Sequence, residues 1–576
     1  MELVGLTPGK NTCCRYAFFP VLATALLSVT LATSAYGQAP VAGELLVTPV
    51  RVKAPDDFSS TYRGYWWDFT SETHFSVEGT LRGWAQSGLS GGWWIGTSIP
   101  SKSDPNHSDG YVLLNNLYID GPQPTNWEPS EQRYRPFDPA YHHLTLRMCS
   151  NSSSKMFVRW HRNLSFADRD YGGTSFQNVE AGCKFYSFDL NNDRNPGVGT
   201  FAWSQGGFYS IAVLPVNEPG IEVMIDYATL SPQPAGVAVT VSWTQADEPV
   251  ELSVSNTPDG THATSVADGL TGGSYQWRTP NLAPGDYFLI GETASGRHLT
   301  VPVLTVDAPP RGVLLAPSYT SGPDYATTVV KNRWDMSNST DISLALGSTG
   351  KSFSGGVFQA TSLAKNPTGD PVVFLRVTTP INTKRYRYLT YRMWVSGDGV
   401  LQGTGGVARV FWYNNRSLLP GTFSFTQDVR VYKGWRTVSI DLAKAYLERN
   451  SSIGAWGSFP VTNLRIDPHE SPAPRSFKID WVKLTGDVIV RTSYRIRYTA
   501  EDPDGGTPAV QLYYSTSRDP GTGAVLITCQ PDPLPLSCVW NVPPTLPIGS
   551  YFVHMRLADA AGNRTWVTSD IPLLRR

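Results

Sequence analysis

The sequence predicts an all-β fold: a tandem repeat in which a large β-sandwich is followed by a smaller one, twice over. Three observations carry this. A set of motifs recurs in one fixed order in the two halves of the chain. Short windows alternate apolar and polar residues with the period of a strand. Gly and Pro, 52 and 44 of 576 residues, break these windows with turns. Length agrees, since at roughly 150 residues per domain the chain is too long for one.

The first segment reads as an address. Lys10 and Arg15 precede an apolar stretch from Ala17 to Ala32, and Ala35 and Gly37 supply small residues for cleavage. This gives a signal peptide over residues 1–37. The stretch contains Pro20 and is shorter than the roughly 20 residues that span a bilayer. No later run is long and apolar enough, so no transmembrane segment is expected. The mature protein is expected to be secreted, free or associated with the cell surface.

The large sandwich is assigned to residues 43–231 and again to 312–487. Gly43-Glu44-Leu45-Leu46-Val47 recurs as Gly312-Val313-Leu314-Leu315, and Trp67-Asp68 as Trp334-Asp335. Ser90-Gly91-Gly92 recurs at Ser354-Gly355-Gly356, and Leu144-Thr145-Leu146-Arg147-Met148 at Leu389-Thr390-Tyr391-Arg392-Met393. Trp160 matches Trp412, Asp189 matches Asp441, and Ile225-Asp226-Tyr227 matches Ile479-Asp480-Trp481. Strict alternation puts Phe477, Ile479 and Trp481 on one face, with Lys478 and Asp480 on the other. A short helix is expected around Leu442 to Arg449.

The smaller sandwich is assigned to residues 232–308 and 488–574. Both copies carry a Trp, a turn, then Gly-x-Tyr-Phe: Trp277 with Gly285 to Phe288, and Trp540 with Gly549 to Phe552. Asp307-Ala308-Pro309-Pro310 reads as a stiff linker between the halves.

Four cysteines follow the signal segment: Cys149, Cys183, Cys529 and Cys538. Cys529 and Cys538 flank a Pro-rich turn and are natural partners, which leaves Cys149 for Cys183. The repeat aligns Cys149 with Trp394 and Cys183 with Trp435, so both are replaced together, as two touching core positions would allow. A disulfide framework suits an exported chain.

Residues such as Leu464-Arg465-Ile466-Asp467-Pro468 and Ile479-Asp480-Trp481-Val482-Lys483-Leu484 make the large copies resemble galactose-binding-like jelly rolls, a fold shared by many carbohydrate-binding modules. The small copies, with Asp559-Ala560-Ala561-Gly562-Asn563, resemble fibronectin type III or immunoglobulin-like spacers. The jelly-roll resemblance implies a structural Ca²⁺ joining first and last strands. Asp68 and Asp226 in one copy, Asp335 and Asp480 in the other, are the candidate ligands; loop-amide hydrogen bonding is the alternative. Asp189-x-Asn191-x-Asp193-x-Asn195 has the oxygen spacing of a calcium loop but lacks its Gly and Glu, and reads better as a polar turn.

Composition narrows function. With 47 Lys and Arg against 48 Asp and Glu, the net charge of −1 excludes nucleic acid as the main partner. Aromatics at 12% and charge at 16% suit a folded chain. The expected function is non-catalytic binding of an extracellular glycan or cell-surface polymer. Candidate rings are Trp160 with His161 and Trp412 with Tyr413; on a strand only one of each pair can face the core, and Trp is the better core residue. The first copy is 19 residues longer between Ser90 and Leu144 than the second between Ser354 and Leu389, and this insertion carries Trp127 and Glu128. Trp127 is expected to stack on a sugar and Glu128 to accept its hydroxyls. Two alternatives stand: a self-associating filament component, and a polysaccharide-degrading enzyme using carboxylates such as Glu128 and Glu131. No GxSxG elbow, HExxH helix or phosphate loop is present.

Overall fold

Apolar alternation cut by Gly and Pro produces strands and little else. The computed structural model describes residues 45–576, apart from 47–49, 64, 72–74, 76–82, 115–120, 123–136, 163–170, 235, 244–247, 297–302, 365–370, 397–406, 416–421, 427–428, 432, 446–451, 472, 521, 531 and 533. The signal segment and the insertion residues Trp127 and Glu128 lie outside the described residues. Among the described residues the one α-helix is Phe58–Arg63, and no helix is long and apolar enough to cross a membrane. Residues 442–444, where a helix was expected to start, form a turn.

Each large copy is a sandwich of two antiparallel sheets, and the two copies share one topology. In the first, one sheet runs Trp84–Ser90, Trp93–Ser98, Glu222–Ser231, His143–Ser150, Gly182–Asp189. In the second, the same order is Ser348–Ser354, Val357–Ser362, Ser476–Thr485, Tyr388–Val395, Gly434–Asp441. The opposing sheets correspond as well: Val112–Leu114, Ser210–Leu214 and Ser154–His161 match Val372–Leu375, Asn463–Asp467 and Val407–Tyr413. The inward residues fuse into one apolar core per copy, around Leu146, Trp160 and Ile225 in the first and Tyr391, Trp412 and Ile479 in the second.

Asp57 and Asp324 fasten the start of each copy to its last strand, a repeat match that sequence reading passed over. Asp57 accepts from the backbone N–H of Ser60 and of Leu230, both at 2.8 Å. Asp324 does the same for Thr327 and Leu484, at 2.8 and 3.1 Å. Asp57 is fully buried, and desolvation lifts its carboxyl to about 6.

The small copies have cores of their own, centred on Val241, Leu252 and Trp277, and on Ile496, Val553 and Trp540. Their sheets reach across the assigned boundaries. Arg311–Ala316, which the repeat puts at the head of the second large copy, pairs with Ser493–Glu501 of the small one. Leu45–Leu46 pairs with Ala238–Trp243, and Val50–Lys53 runs parallel to Val303–Asp307. The sequence similarity of these leading strands reflects their shared place in a small sandwich. The linker is anchored too: Asn563 Nδ2 donates to Asp307 Oδ2 at 2.7 Å, and Arg51 pairs with the same aspartate.

Two connections set the environment of the large copies. Cys183 of the first copy bridges Thr264 of the small one, so a ten-stranded sheet runs through both. Gly121–Pro122, from the insertion of the first copy, pairs in parallel with Val438 and Ser439 at the edge of the second copy's sheet.

His554 gives the fold a pH dependence. Its ring lies between Ser515 Oγ and Thr568 Oγ1, both at 2.9 Å, and burial lowers its pKa to about 4. An unfolded imidazole titrates near 6.5, so the unfolded state takes up a proton first as pH falls. Stability from this group is therefore lost between about pH 6.5 and pH 4. Calorimetric unfolding midpoints should fall from pH 7 to pH 4.5, and His554→Gln should shrink that fall; an undiminished fall would contradict the assignment.

Candidate functional site

The site grows from a one-residue irregularity that occurs in both large copies. Where the last strand pairs with its central neighbour, Tyr227 lies opposite Arg147 and Ile225 opposite Met148, leaving Asp226 as an extra residue. In the second copy Trp481 lies opposite Arg392 and Ile479 opposite Met393, leaving Asp480. A β-bulge re-aims the side chains that follow it. Asp480 and Trp481 both stand on the outer face, while Ile479, Val482 and Leu484 stay in the core. Strict alternation had put Trp481 on the inner face with Ile479, and the bulge is why it is not there.

The bulged aspartates each meet a guanidinium. Arg147 Nη1 donates to Asp226 Oδ2 at 2.5 Å, and Arg392 Nη1 to Asp480 Oδ2 at the same distance. Beside them lies the cross-strand pair that differs between copies. Cys149 and Cys183 face each other and form a disulfide; Trp394 and Trp435 face each other in the same register. A second disulfide joins Cys529 to Cys538.

What covers this face separates the copies. In the first, Arg147 Nε donates to Thr264 Oγ1 at 3.2 Å and Nη2 to the His262 carbonyl at 2.8 Å. Tyr227 joins the core of the small copy. The Arg147 side chain is 0% exposed, and burial raises the Asp226 carboxyl even against the opposing pull of Arg147. In the second copy the matching Arg392 is 43% exposed and Asp480 is 24% exposed. Trp394, Trp435 and Trp481 are half-buried.

A cation accompanies each of these three rings. Arg392 lies 4.6 Å from the Trp435 centroid, Lys478 Nζ 5.0 Å from Trp394, and Lys483 Nζ 5.5 Å from Trp481. Trp481 also borders a cleft of about 400 Å³ whose polar lining includes Asp324, Arg333, Asp335 and Lys483. Asp324 is committed to backbone amides, whereas Asp335 Oδ1 accepts a loop N–H, that of Ser337, at 3.2 Å. The arrangement offers flat apolar surface ringed by charged donors and acceptors.

The residues singled out from sequence are placed as follows. Trp160 and Trp412 are each 0% exposed and belong to the sandwich cores. Their partners are covered as well: His161 is 2% exposed beside Tyr171, and Tyr413 is 2% exposed among Phe374, Phe411 and Phe423. Side chains do alternate there, but the outer face of that sheet carries its own aromatic layer, so none of the four is a stacking surface. Asp226 and Asp480 are each paired with a guanidinium, Arg147 and Arg392. Asp68 Oδ1 accepts from Thr70 N–H and Oγ1–H, the loop-capping alternative. The Asp189 run is a hydrogen-bonded turn in which Asp189 Oδ1 accepts from Asn191 N–H at 3.0 Å. Trp394 and Trp435 are cross-strand neighbours, but on the outer face and not in the core. The three outer tryptophans were missed because a bulge and a missing cover are properties of strand pairing. The one available signal was a basic residue close in sequence to two of them, Arg436 beside Trp435 and Lys483 two residues after Trp481.

No protein-family model matches the chain, and no curated protein does. Among solved structures, a β-1,2-glucanase from Parabacteroides distasonis is 11% identical over 39% of this chain, with a TM-score of 0.15. This chain spans about a third of that enzyme, 33%. The tandem CBM22-1–CBM22-2 domains of Paenibacillus barcinonensis Xyn10C are 10% identical over 78% of this chain and 99% of theirs, with a TM-score of 0.18. The FN1–FN3 domains of chicken CNTN1 are 12% identical over 60% of this chain and 96% of theirs, with a TM-score of 0.13. Scores this low carry no argument about activity.

Burial predicts how the two classes of ring respond to truncation. Trp160→Ala and Trp412→Ala should each lower stability by about 3–5 kcal/mol, the cost of emptying a core site. Trp435→Ala should cost a small fraction of that. Denaturant unfolding checks this, and equal losses at all three positions would contradict the assignment.

Proposed function

We propose that the protein is a secreted, non-catalytic glycan-binding protein, and that the uncovered face of the second large copy is its binding surface. The observation that carries this is the trio Trp394, Trp435 and Trp481, half-buried beside a charged pair on the outer face of one sheet. A pyranose ring presents C–H groups to an indole face and leaves its hydroxyls free at the rim. There Asp480 and Asp335 accept hydrogen bonds, while Arg392, Lys478 and Lys483 donate them. The cleft beside Trp481 has the size of a small-ligand site, which typically runs about 300–1,000 Å³.

Export rests on the signal segment over residues 1–37 and on two disulfides, which persist in oxidising compartments. The insertion supplies a second contact in this reading, with Trp127 stacking and Glu128 accepting hydroxyls. It leads from the first large copy to the sheet edge of the second through Gly121–Pro122. A chain with one aromatic platform on a rigid sheet suits attachment to an extended polymer at the cell exterior.

Binding is measured by calorimetry and affinity electrophoresis against soluble β-glucan, xylan and acidic polysaccharides. Trp481→Ala and Trp435→Ala should each weaken binding about tenfold or more, equivalent to about 1.4 kcal/mol, while their unfolding curves stay near the parent's. Trp127→Ala should weaken it less. Undiminished binding by both outer-face variants, or no binding of any polysaccharide by the parent, would refute the proposal, as would turnover of the polysaccharide.

A further inference from the structure

A second cluster, away from the tryptophan face, is left without a role by glycan binding. His142, His143 and Asp189 bring one ligand atom each to within 4.8 Å of one another. His142 Nδ1 lies 3.0 Å from Asp189 Oδ1, and His143 Nδ1 lies 4.0 Å from Asp189 Oδ2. The two imidazole rings are 4.1 Å apart, centre to centre. Their side chains and that of Asp189 are 14–22% exposed, so the cluster is sheltered yet reachable.

The backbone holds this group in place. His143 stands opposite both Asp189 and Ser231 in the sheet, and Leu190 N–H donates to the His142 carbonyl at 2.8 Å. The carboxylate is steadied by its own turn: Asn191 N–H donates to Oδ1 at 3.0 Å and Asn192 Nδ2 to Oδ2 at 2.7 Å. Outer hydrogen bonds of this kind orient metal ligands.

The repeat provides the decisive comparison. Asp441 occupies the place of Asp189, and Arg387 and Tyr388 occupy those of His142 and His143. In the second copy Arg387 grips Asp441 with two donors, Nε at 2.8 Å and Nη2 alongside. That carboxylate carries a permanent counter-charge. In the first copy the guanidinium is replaced by two imidazoles, whose ring nitrogens can serve as metal ligands, as a guanidinium cannot. Two imidazoles and a carboxylate are a ligand set suited to Zn²⁺ and neighbouring transition ions, and poorly suited to Ca²⁺.

The geometry points to a Zn²⁺-type metal site formed by His142, His143 and Asp189, in which the ion takes the place that the Arg387 guanidinium fills in the second copy. Ligand atoms of a tetrahedral Zn²⁺ stand about 3.3 Å apart, given bonds of about 2.0–2.1 Å. The three ligand atoms, within 4.8 Å of one another, would have to close to that spacing on binding the ion. Three protein ligands leave the fourth position for water or for an anionic group. The ion would clip the strand His143–Ser150 to the turn after Asp189.

Equilibrium dialysis of the full exported chain against micromolar ZnCl₂, with metal analysis, tests this. The parent should bind one Zn²⁺ per chain and gain a higher thermal midpoint in its presence. The double variant His142→Arg, His143→Tyr installs the second copy's residues and should fold normally, yet lose that ion and the shift. If circular dichroism finds the double variant unfolded, His143→Gln decides, and should weaken binding at least about tenfold, equivalent to about 1.4 kcal/mol. A parent that retains no Zn²⁺, or a folded variant that binds it as the parent does, would overturn the site.

Discussion

An arginine facing a bulged aspartate across two central strands is the interaction on which the rest of the structure turns. Arg147 with Asp226, and Arg392 with Asp480, sit on the outer face of an otherwise apolar-cored sheet. Removing such a pair from water costs several kcal/mol per ion unless further hydrogen bonds replace the lost hydration. The first copy meets that requirement with Thr264 and the His262 carbonyl, supplied by the neighbouring small sandwich. The pair is thus also one of the points at which two sandwiches are joined, beside the bridge from Cys183 to Thr264. In the second copy the same pair is left in contact with solvent.

Covering and chemistry change together at this face. Under the small sandwich the cross-strand neighbours are small and covalently tied, Cys149 to Cys183, and the bulged aromatic Tyr227 is absorbed into the next core. On the open face the same positions are Trp394, Trp435 and Trp481, each with a basic side chain over its ring. These half-buried indoles beside charges are the feature that the proposed glycan contact would use. One topology is therefore capped by a neighbouring sandwich in the first copy, while the matching charged pair is partly exposed in the second.

Much of this was legible in the sequence, and the remainder was hidden for physical reasons. Period-2 alternation and matched motifs such as Leu144 to Met148 with Leu389 to Met393 identified strands, repeat and topology class, because burial on one face imposes a pattern on the chain itself. The register that sets Cys149 against Cys183, and Trp394 against Trp435, was readable from the repeat offset. What the pattern could not carry was the second layer outside each sheet. Trp160 with His161 read as one ring in and one ring out, yet both are covered. The bulge at Asp480 shifts the alternation by one, so Trp481 was assigned to the wrong side. Arg311–Ala316 was grouped with the large copy because it precedes it in sequence, although its hydrogen bonds go to Ser493–Glu501. In each case the deciding partner lies far away along the chain.

The most direct test of the account is hydroxyl-radical footprinting of the intact protein, read by mass spectrometry, with and without a saturating polysaccharide that it binds. In the free protein Trp394, Trp435 and Trp481 should be oxidised readily, while Trp160, Trp412 and Tyr227 stay protected. On adding the polysaccharide, the first three should become protected and nothing else should change by as much. Oxidation of the three tryptophans that is unaffected by bound polysaccharide, or protection confined to the first large copy, would contradict the claim that the uncovered sheet face is the binding surface.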